Sequence, residues 1–279
     1  MLEIKKLNFS YKGPNLFNDL NLYLKSGRVY GLLGKNGVGK TTLLKLISSL
    51  LYPLNGSISI NGINSSKRYP QYLASFYLIP EEFMLPQLKI ETFVKVYAPF
   101  YPKFNKNMFE NILKEFDITT QQILTNLSYG QKKKFLIAFG LSTNTPILLM
   151  DEPTNGLDIP SKRQFRRILA QNLDNNRLII ISTHQVKDIE GLIDEVIILQ
   201  NGKIIFQVDL NLLNEKLTVS LENEEPIEQE DVIYYEQVLG GYICIRKKDD
   251  NLPMKKIDLE LLFNSVINNV HQLNQILKN

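Results

Sequence analysis

Apolar and polar side chains alternate over residues 2–9 ("LEIKKLNF") and 19–24 ("DLNLYL"), the period of half-buried antiparallel strands. The pattern then changes. "RVYGLLG" (28–34) is a continuous apolar strand ending in glycine, and behind it Leu43, Leu44, Leu46, Ile47, Leu50 and Leu51 recur on one helical face. "NGSISINGIN" (55–64) predicts a turn, a short strand and another turn, and "ASFYLIP" (74–80) a strand stopped by proline. From about 81 to 144 the spacing is helical, with breaks marked by Pro80, Pro86, Pro99 and Pro102. Strands return at 146–151, 177–182 and 195–200, separated by helical stretches at about 160–173 and 185–192. Continuous apolar strands alternating with helices predict an α/β fold around a parallel sheet buried on both faces.

Beyond about residue 205 the character shifts. "ENEEPIEQED" (222–231) carries six acids in ten residues and reads as a solvated loop. "VIYYEQV" and "YICIRK" around Gly240 and Gly241 predict a hairpin, and Leu259, Leu262, Phe263, Val266, Ile267 and Val270 a helix over 257–270. The expected organisation is a main domain over 1–210, containing a helical subdomain at about 81–144, and a small α+β appendage over 211–279.

Composition narrows the class. Thirty-two basic against 29 acidic side chains leave a net charge of +3, too even for a nucleic-acid glove, so no nucleic-acid partner is expected. A single cysteine, Cys244, excludes an internal disulfide framework and favours a reducing cytoplasm; with only His184 and His271 beside it, a zinc site is not expected either. The first residues lack the apolar h-region of a signal peptide, and nowhere do ~18 apolar residues run together, so no membrane span is expected.

The chemistry is concentrated in three places. "GLLGKNGVGKTT" contains Gly34-x-x-x-x-Gly39-Lys40-Thr41, the P-loop pattern, between an apolar strand and a helix. Its glycines let successive backbone N–H groups of Gly34, Lys35, Asn36, Gly37, Val38 and Gly39 point inward as an anion-binding nest, and the following helix adds its positive end. Lys40 would reach the β- and γ-phosphates of ATP, Thr41 would bind Mg²⁺, and Thr42 opens the helix beside them. A glycine turn that merely caps a helix is the alternative; the strand before and helix after make nucleotide binding the expectation. "PILLMDEP" (146–153) sets Asp151 and Glu152 at the C-terminal end of a buried strand, where such sheets bind ligands. Asp151 would hold Mg²⁺ through water and Glu152 polarise the attacking water, unless both are only acids at a helix start. "LIIISTHQ" (178–185) ends another apolar strand at His184, which either reaches a γ-phosphate or is simply hydrogen-bonded.

With the P-loop, "LSYGQ", "LLMDEP" and "STHQ" in this order, residues 1 to about 210 resemble the ATP-binding cassette (ABC) ATPases. That resemblance implies a P-loop NTPase fold with a parallel-sheet core, an antiparallel β subdomain and a helical subdomain carrying the signature Leu127-Ser128-Tyr129-Gly130-Gln131. It implies Tyr11 stacked on adenine and Asp158 in a loop crossing between two protomers. Ser128, Gly130 and Gln131 would bind the phosphate held by another copy's P-loop, so the chain would pair head to tail with itself or a second ABC subunit. Physical chemistry agrees with the signature: Ser128 is a good helix cap, and a hydroxyl, an amide and a helix N-terminus together bind anions. Lys132 to Lys134 beyond it read as solvated charges.

The sequence departs from the family pattern twice. Tyr129 replaces the first glycine of the signature pair. In "YLIPEE" (77–82) Glu81 stands where the family has glutamine, with Glu82 as the other register; metal binding is expected to survive with altered metal choice or turnover. Six aromatics follow: Phe83, Phe93, Tyr97, Phe100, Tyr101 and Phe104. Most are expected in the helical core, and some in a groove that receives a multi-span membrane permease. The resemblance thus implies a cytoplasmic ATPase, peripheral on the inner membrane face and powering transport, with export favoured. The alternative is a soluble ABC ATPase acting on nucleic acid or ribosomes. Such proteins usually carry two cassettes or large insertions, and this chain has neither.

Overall fold

β1 (Leu2–Phe9) pairs antiparallel with β2 (Phe17–Leu24) in the computed structural model, which describes residues 1–174, 176–226, 231–248 and 255–278. Leu2, Ile4, Leu7 and Phe9 alternate into the core as the sequence predicts. A bulge at Lys6 (φ 46°) presses its carbonyl against Gly56, where an added Cβ would lie 2.2 Å from that oxygen. β3 (Arg28–Leu33) is buried along its length and runs through Gly34–Gly39 into α1 (Lys40–Ile47). The helix ends earlier than its leucine pattern suggested. Ser49 turns left-handed at φ 53°, and Leu50 and Ser49 donate back to the Lys45 and Leu46 carbonyls, a Schellman closure that leaves Leu50 exposed. β4 (Asn55–Ile60) and β5 (Ile63–Asn64) turn at Asn61 and Gly62, both at positive φ as a type I′ hairpin requires.

α2 (Pro70–Leu73) leads to β6 (Phe76–Ile79). The stretch expected to be helical from 81 instead begins as irregular backbone through Pro86, and then forms α3 (Ile90–Tyr97), α4 (Lys106–Glu115) and α5 (Tyr129–Ser142). β7 (Ile147–Asp151), α6 (Ile159–Gln171), β8 (Leu178–Thr183) and β9 (Glu195–Gln200) follow. Residues 185–192 are not a helix: a single 3₁₀ turn spans Val186–Asp188, and Gly191 at φ 75° closes the segment.

The main sheet runs β10-β9-β3-β8-β7-β6, where β10 (Lys203–Asp209) is antiparallel and the other five are parallel. One face carries Val29, Leu33, Leu148 and Ile181 toward the helical region; the other carries Tyr30, Leu32, Leu149 and Ile180 toward α1 and the antiparallel sheet. That double burial is why these strands read as unbroken apolar runs.

β10 had not been expected; Asn201 and Gly202 form a second type I′ turn that returns the chain from β9. After α7 (Leu210–Lys216) come β11 (Leu217–Glu222), β12 (Val232–Val238) and β13 (Gly241–Lys247), in the order β11-β13-β12. The hairpin at Gly240 and Gly241 is present, and β11 adds a strand to it. Within the acidic run, Glu222 and Asp231 both pair with Arg246, while residues 227–230 lie outside the described residues. α8 (Leu259–Lys278) outlasts the expected helix and kinks at Asn269, whose side chain donates to the Ile233 carbonyl of β12 at 2.8 Å.

Candidate functional site

Four strands of the main sheet, β3, β6, β7 and β8, deliver polar side chains to the same C-terminal edge, around a cavity of about 850 Å³. Lys40, Thr41, Tyr11, Glu81, Glu152 and His184 all line it. β3 ends in the P-loop, where Gly37 (φ 81°) and Gly39 (φ 107°) take the left-handed backbone that curls it. A side chain at Gly39 would also strike the Phe17 ring, 2.9 Å from an added Cβ. The Lys40 ammonium is buried and donates to the carbonyls of Gly34 (2.7 Å) and Lys35 (3.3 Å), so it lies across the loop's own mouth. Burial lowers its pKa, opposed by the charges of Glu152, Asp151 and Glu81.

Asp151 closes β7 with both carboxylate oxygens engaged: the Thr41 hydroxyl donates at 2.7 Å and the Ser182 hydroxyl makes a short bond to the other. Thr41, Asp151 and Glu81 are hard oxygen donors, the set a Mg²⁺ ion accepts while keeping waters and phosphate oxygens as its other ligands. No group of three His, Cys, Asp or Glu suited to a metal occurs among the described residues.

Glu152 sits at φ 44°, a left-handed position that turns its side chain back toward β8. Its carboxylate accepts from Thr183 Oγ1 (2.9 Å), the His184 backbone N–H (3.0 Å) and His184 Nδ1 (2.7 Å). Because a carboxylate can only accept, that last bond puts a proton on Nδ1. Tyr11 stands exposed at the cavity rim, edge-on to Phe9, with its hydroxyl 3.1 Å from Thr42 Oγ1.

The signature lies elsewhere. Ser128 caps α5 and forms a capping box with Gln131, the hydroxyl accepting from Gln131 N (3.2 Å) and Gln131 Oε1 accepting from Ser128 N (3.0 Å). Ser128, Gly130 and Gln131 are not among the residues lining the cavity. Asp158 caps α6 by accepting from Ser161 N (2.9 Å), and hydrogen bonds from the Ser161 side chain and then its backbone lower the Asp158 pKa.

Sequence reasoning missed two contributors. Asn155 lines the cavity and donates from Nδ2 to Glu81 Oε1 at 2.9 Å; it stands in the same "NGLD" stretch as Asp158. Lys133 is not a solvated charge. It is fully buried, its ammonium donating to the Pro80 and Glu81 carbonyls at 3.2 Å each, and burial pulls its pKa down to about 8. Its neighbour Lys134 is half-buried, 3.4 Å from Gln164 Oε1. Lys133 follows Tyr129 by four positions on the helix, a spacing that puts the two on one face and is the signal available for it.

A second cavity of about 610 Å³ lies where α8 meets the P-loop flank and the segment after β8, with Lys35 and Gln185 on one side and Phe263 and Asn264 on the other. Lys187 and Glu260 pair across it at 2.8 Å.

A family model described as ABC transporter matches residues 17–155. The lantibiotic transport ATP-binding protein SrtF of Streptococcus pyogenes is 31% identical over 215 residues, 74% of this chain and 90% of that one. The bacitracin transport ATP-binding protein BcrA of Bacillus licheniformis is 29% identical over 241 residues, 85% and 79% of the two chains. A solved ATP-binding subunit of an ABC transporter superposes with a TM-score of 0.70 at 28% identity, covering 77% of this chain and 92% of that one.

Proposed function

Because the chain belongs to the ABC transporter family and is an ATPase of that family, we propose that its hydrolysis of ATP powers a membrane transporter. The observation that carries this reading is the convergence of Lys40, the Thr41–Asp151 pair and the Glu152–His184 pair on one cavity. Lys40 and the N–H groups of the loop hold the β- and γ-phosphates, replacing the carbonyl contacts the ammonium now makes. Tyr11, at the rim, takes the adenine. Thr41, Asp151 and Glu81 would hold Mg²⁺, which would neutralise charge on the phosphate oxygens.

Glu152 accepts a hydrogen bond from water and orients its lone pair toward the γ-phosphorus. As the new P–O bond forms, the bond to the bridging oxygen breaks and one water proton passes to Glu152 and then to solvent, releasing ADP and phosphate. His184 keeps its Nδ1 proton on Glu152 and faces the γ-phosphate with the rest of the ring, positioning it for attack.

Ser128, Gly130 and Gln131 complete the site from a second subunit, and Asp158 lies in the loop between the two protomers. Their absence from the lining of the chain's own cavity supports this arrangement. A homodimer would be isologous, with two ATPs between two chains; pairing with a different ABC subunit uses the same surfaces. Ser128→Ala is therefore expected to slow hydrolysis while the nucleotide affinity of the isolated chain is largely kept, since Ser128 does not line the chain's own cavity. Steady-state kinetics and equilibrium nucleotide binding check this, and loss of binding by the isolated chain would place Ser128 wrongly.

The permease docks on the helical subdomain. Phe93 and Phe109 are core residues there, whereas Met84, Tyr97 and Phe100 are exposed. A groove of about 850 Å³ between α3 and α4, with Tyr101 and Phe104 at its base, offers apolar surface of the kind that marks partner sites. No helix among the described residues is long and apolar enough to cross a membrane; in this reading, by analogy with transport relatives, a partner supplies the spanning part and the chain works at the cytoplasmic face. Export is the direction we favour on family grounds; the relatives are named for transport of bacitracin and of a lantibiotic. We set the boundary between cassette and appendage near residue 210.

The test is to solubilise membranes and identify what co-purifies with the full chain. A multi-span permease is the expected result. Ribosomes or nucleic acid in its place would overturn transport in favour of a soluble ABC ATPase.

A further inference from the structure

We propose that Tyr129 and Lys133 are positioning residues: from the first turns of α5 they hold Glu81 in place, so that the segment after β6 follows the signature helix. β6 ends at Ile79, and the chain does not pair again until Lys89 bridges Ile123. Between those points, hydrogen bonds reach the carbonyls of Pro80 and Glu81 from one helix. The Tyr129 hydroxyl donates to the Glu81 carbonyl at 3.0 Å, and the Lys133 ammonium donates to the same oxygen and to Pro80 O at 3.2 Å each. Phe83 completes the contact, its ring stacked on Tyr129 (5.3 Å between centroids, 19° between planes) and 5.4 Å from the Lys133 ammonium.

The same tyrosine covers a third segment. A Cβ added at Gly156 would lie 2.5 Å from the Tyr129 ring, so the ring rests directly on that glycine. Its neighbour Asn155 holds the Glu81 carboxylate through Oε1 at 2.9 Å. Glu81 is thus fixed at its carbonyl from α5 and at its carboxylate from the loop leading to Asp158.

Packing alone does not account for Lys133. Burying an ammonium is costly, and an apolar side chain would fill the same space without that cost. What the lysine adds is donors aimed at two successive carbonyls, one of them on the residue that faces the metal site. Tyr129, where the family pattern has glycine, supplies a hydroxyl that glycine lacks.

The test uses the full chain with Tyr129→Phe, Lys133→Met and the double variant; the first deletes only a hydroxyl. Glutamyl endopeptidase cleavage after Glu81 and Glu82, followed by mass spectrometry without nucleotide, reads the freedom of the segment directly. Tyr129→Phe, which loses one bond, is expected to be cut about threefold to tenfold faster there, and Lys133→Met, which loses two, at least as much, with kcat for ATP falling by similar factors and KM unchanged. The double variant is expected to fall short of the product of the singles, because both donors serve one oxygen. Unchanged cleavage, or faster cleavage with unchanged kcat, would overturn the proposal, as would a general loss of thermal stability with no local change in cutting. The kinetic arm rests on the ATPase reading. If the unaltered chain hydrolysed no ATP, that reading would fall and the nucleotide-free cleavage rates would still decide the clamp.

Discussion

Glu152→Gln is expected to lower ATP hydrolysis about a hundredfold to ten-thousandfold, the usual range for removing a group that works on the proton in flight. The site accommodates the amide. Its oxygen can keep the two bonds from His184, at 3.0 and 2.7 Å, while its NH₂ turns to Thr183 Oγ1, whose oxygen can accept. Only the charge and basicity are lost, so ATP affinity should hold within a few-fold. With hydrolysis stalled, the ATP-bound dimer should accumulate on size-exclusion chromatography. A monomer at saturating ATP would count against the two-chain arrangement, and near-normal turnover would remove Glu152 from its role.

Arg177→Met is expected to cost about 2–4 kcal/mol of stability. The guanidinium is buried where β8 begins and donates to the carbonyls of Leu141 (2.8 Å) and Gly140 (2.9 Å), at the C-terminal end of the signature helix. It also donates to the hydroxyls of Thr143 and Thr145 at 3.3 Å. Burial pulls its pKa down to about 10, yet it stays charged and faces the negative end of α5. Methionine matches the stem and leaves these oxygens buried without a donor. At about 2–4 °C per kcal/mol for a domain of this size, Tm should fall by about 4–16 °C. A change under about 2 °C would show that water serves those carbonyls equally well.

The P-loop was legible in the sequence because its glycines, its lysine and its flanking strand and helix are local. β7 and β8 were legible because strands buried on both faces cannot hide polar residues, so Asp151 and Glu152 stood out at the end of one. Lys133 was not legible: a lysine in a run of three looks solvated until the helix around it is seen buried on nearly every side. The early end of α1 depended on a left-handed serine, which composition does not announce. β11 and the long α8 were missed in part because their apolar residues pack against the same cluster as the main sheet, so no separate core marked them. β10 was within reach through Asn201 and Gly202.

The order of the main sheet has a consequence for how the protein is made. β3, among the earliest strands to leave the ribosome, pairs on both sides with strands encoded far later: Arg28 sits opposite Leu178, 150 positions on (178 − 28), and Tyr30 opposite Glu195. At about 5–20 residues per second, the apolar stretch Val29–Leu33 waits roughly 8–30 s of synthesis before its first neighbour exists. Such long-range pairing makes folding slow and leaves an aggregation-prone strand unprotected meanwhile. The cavity around the P-loop is completed only when His184, just after β8, is made.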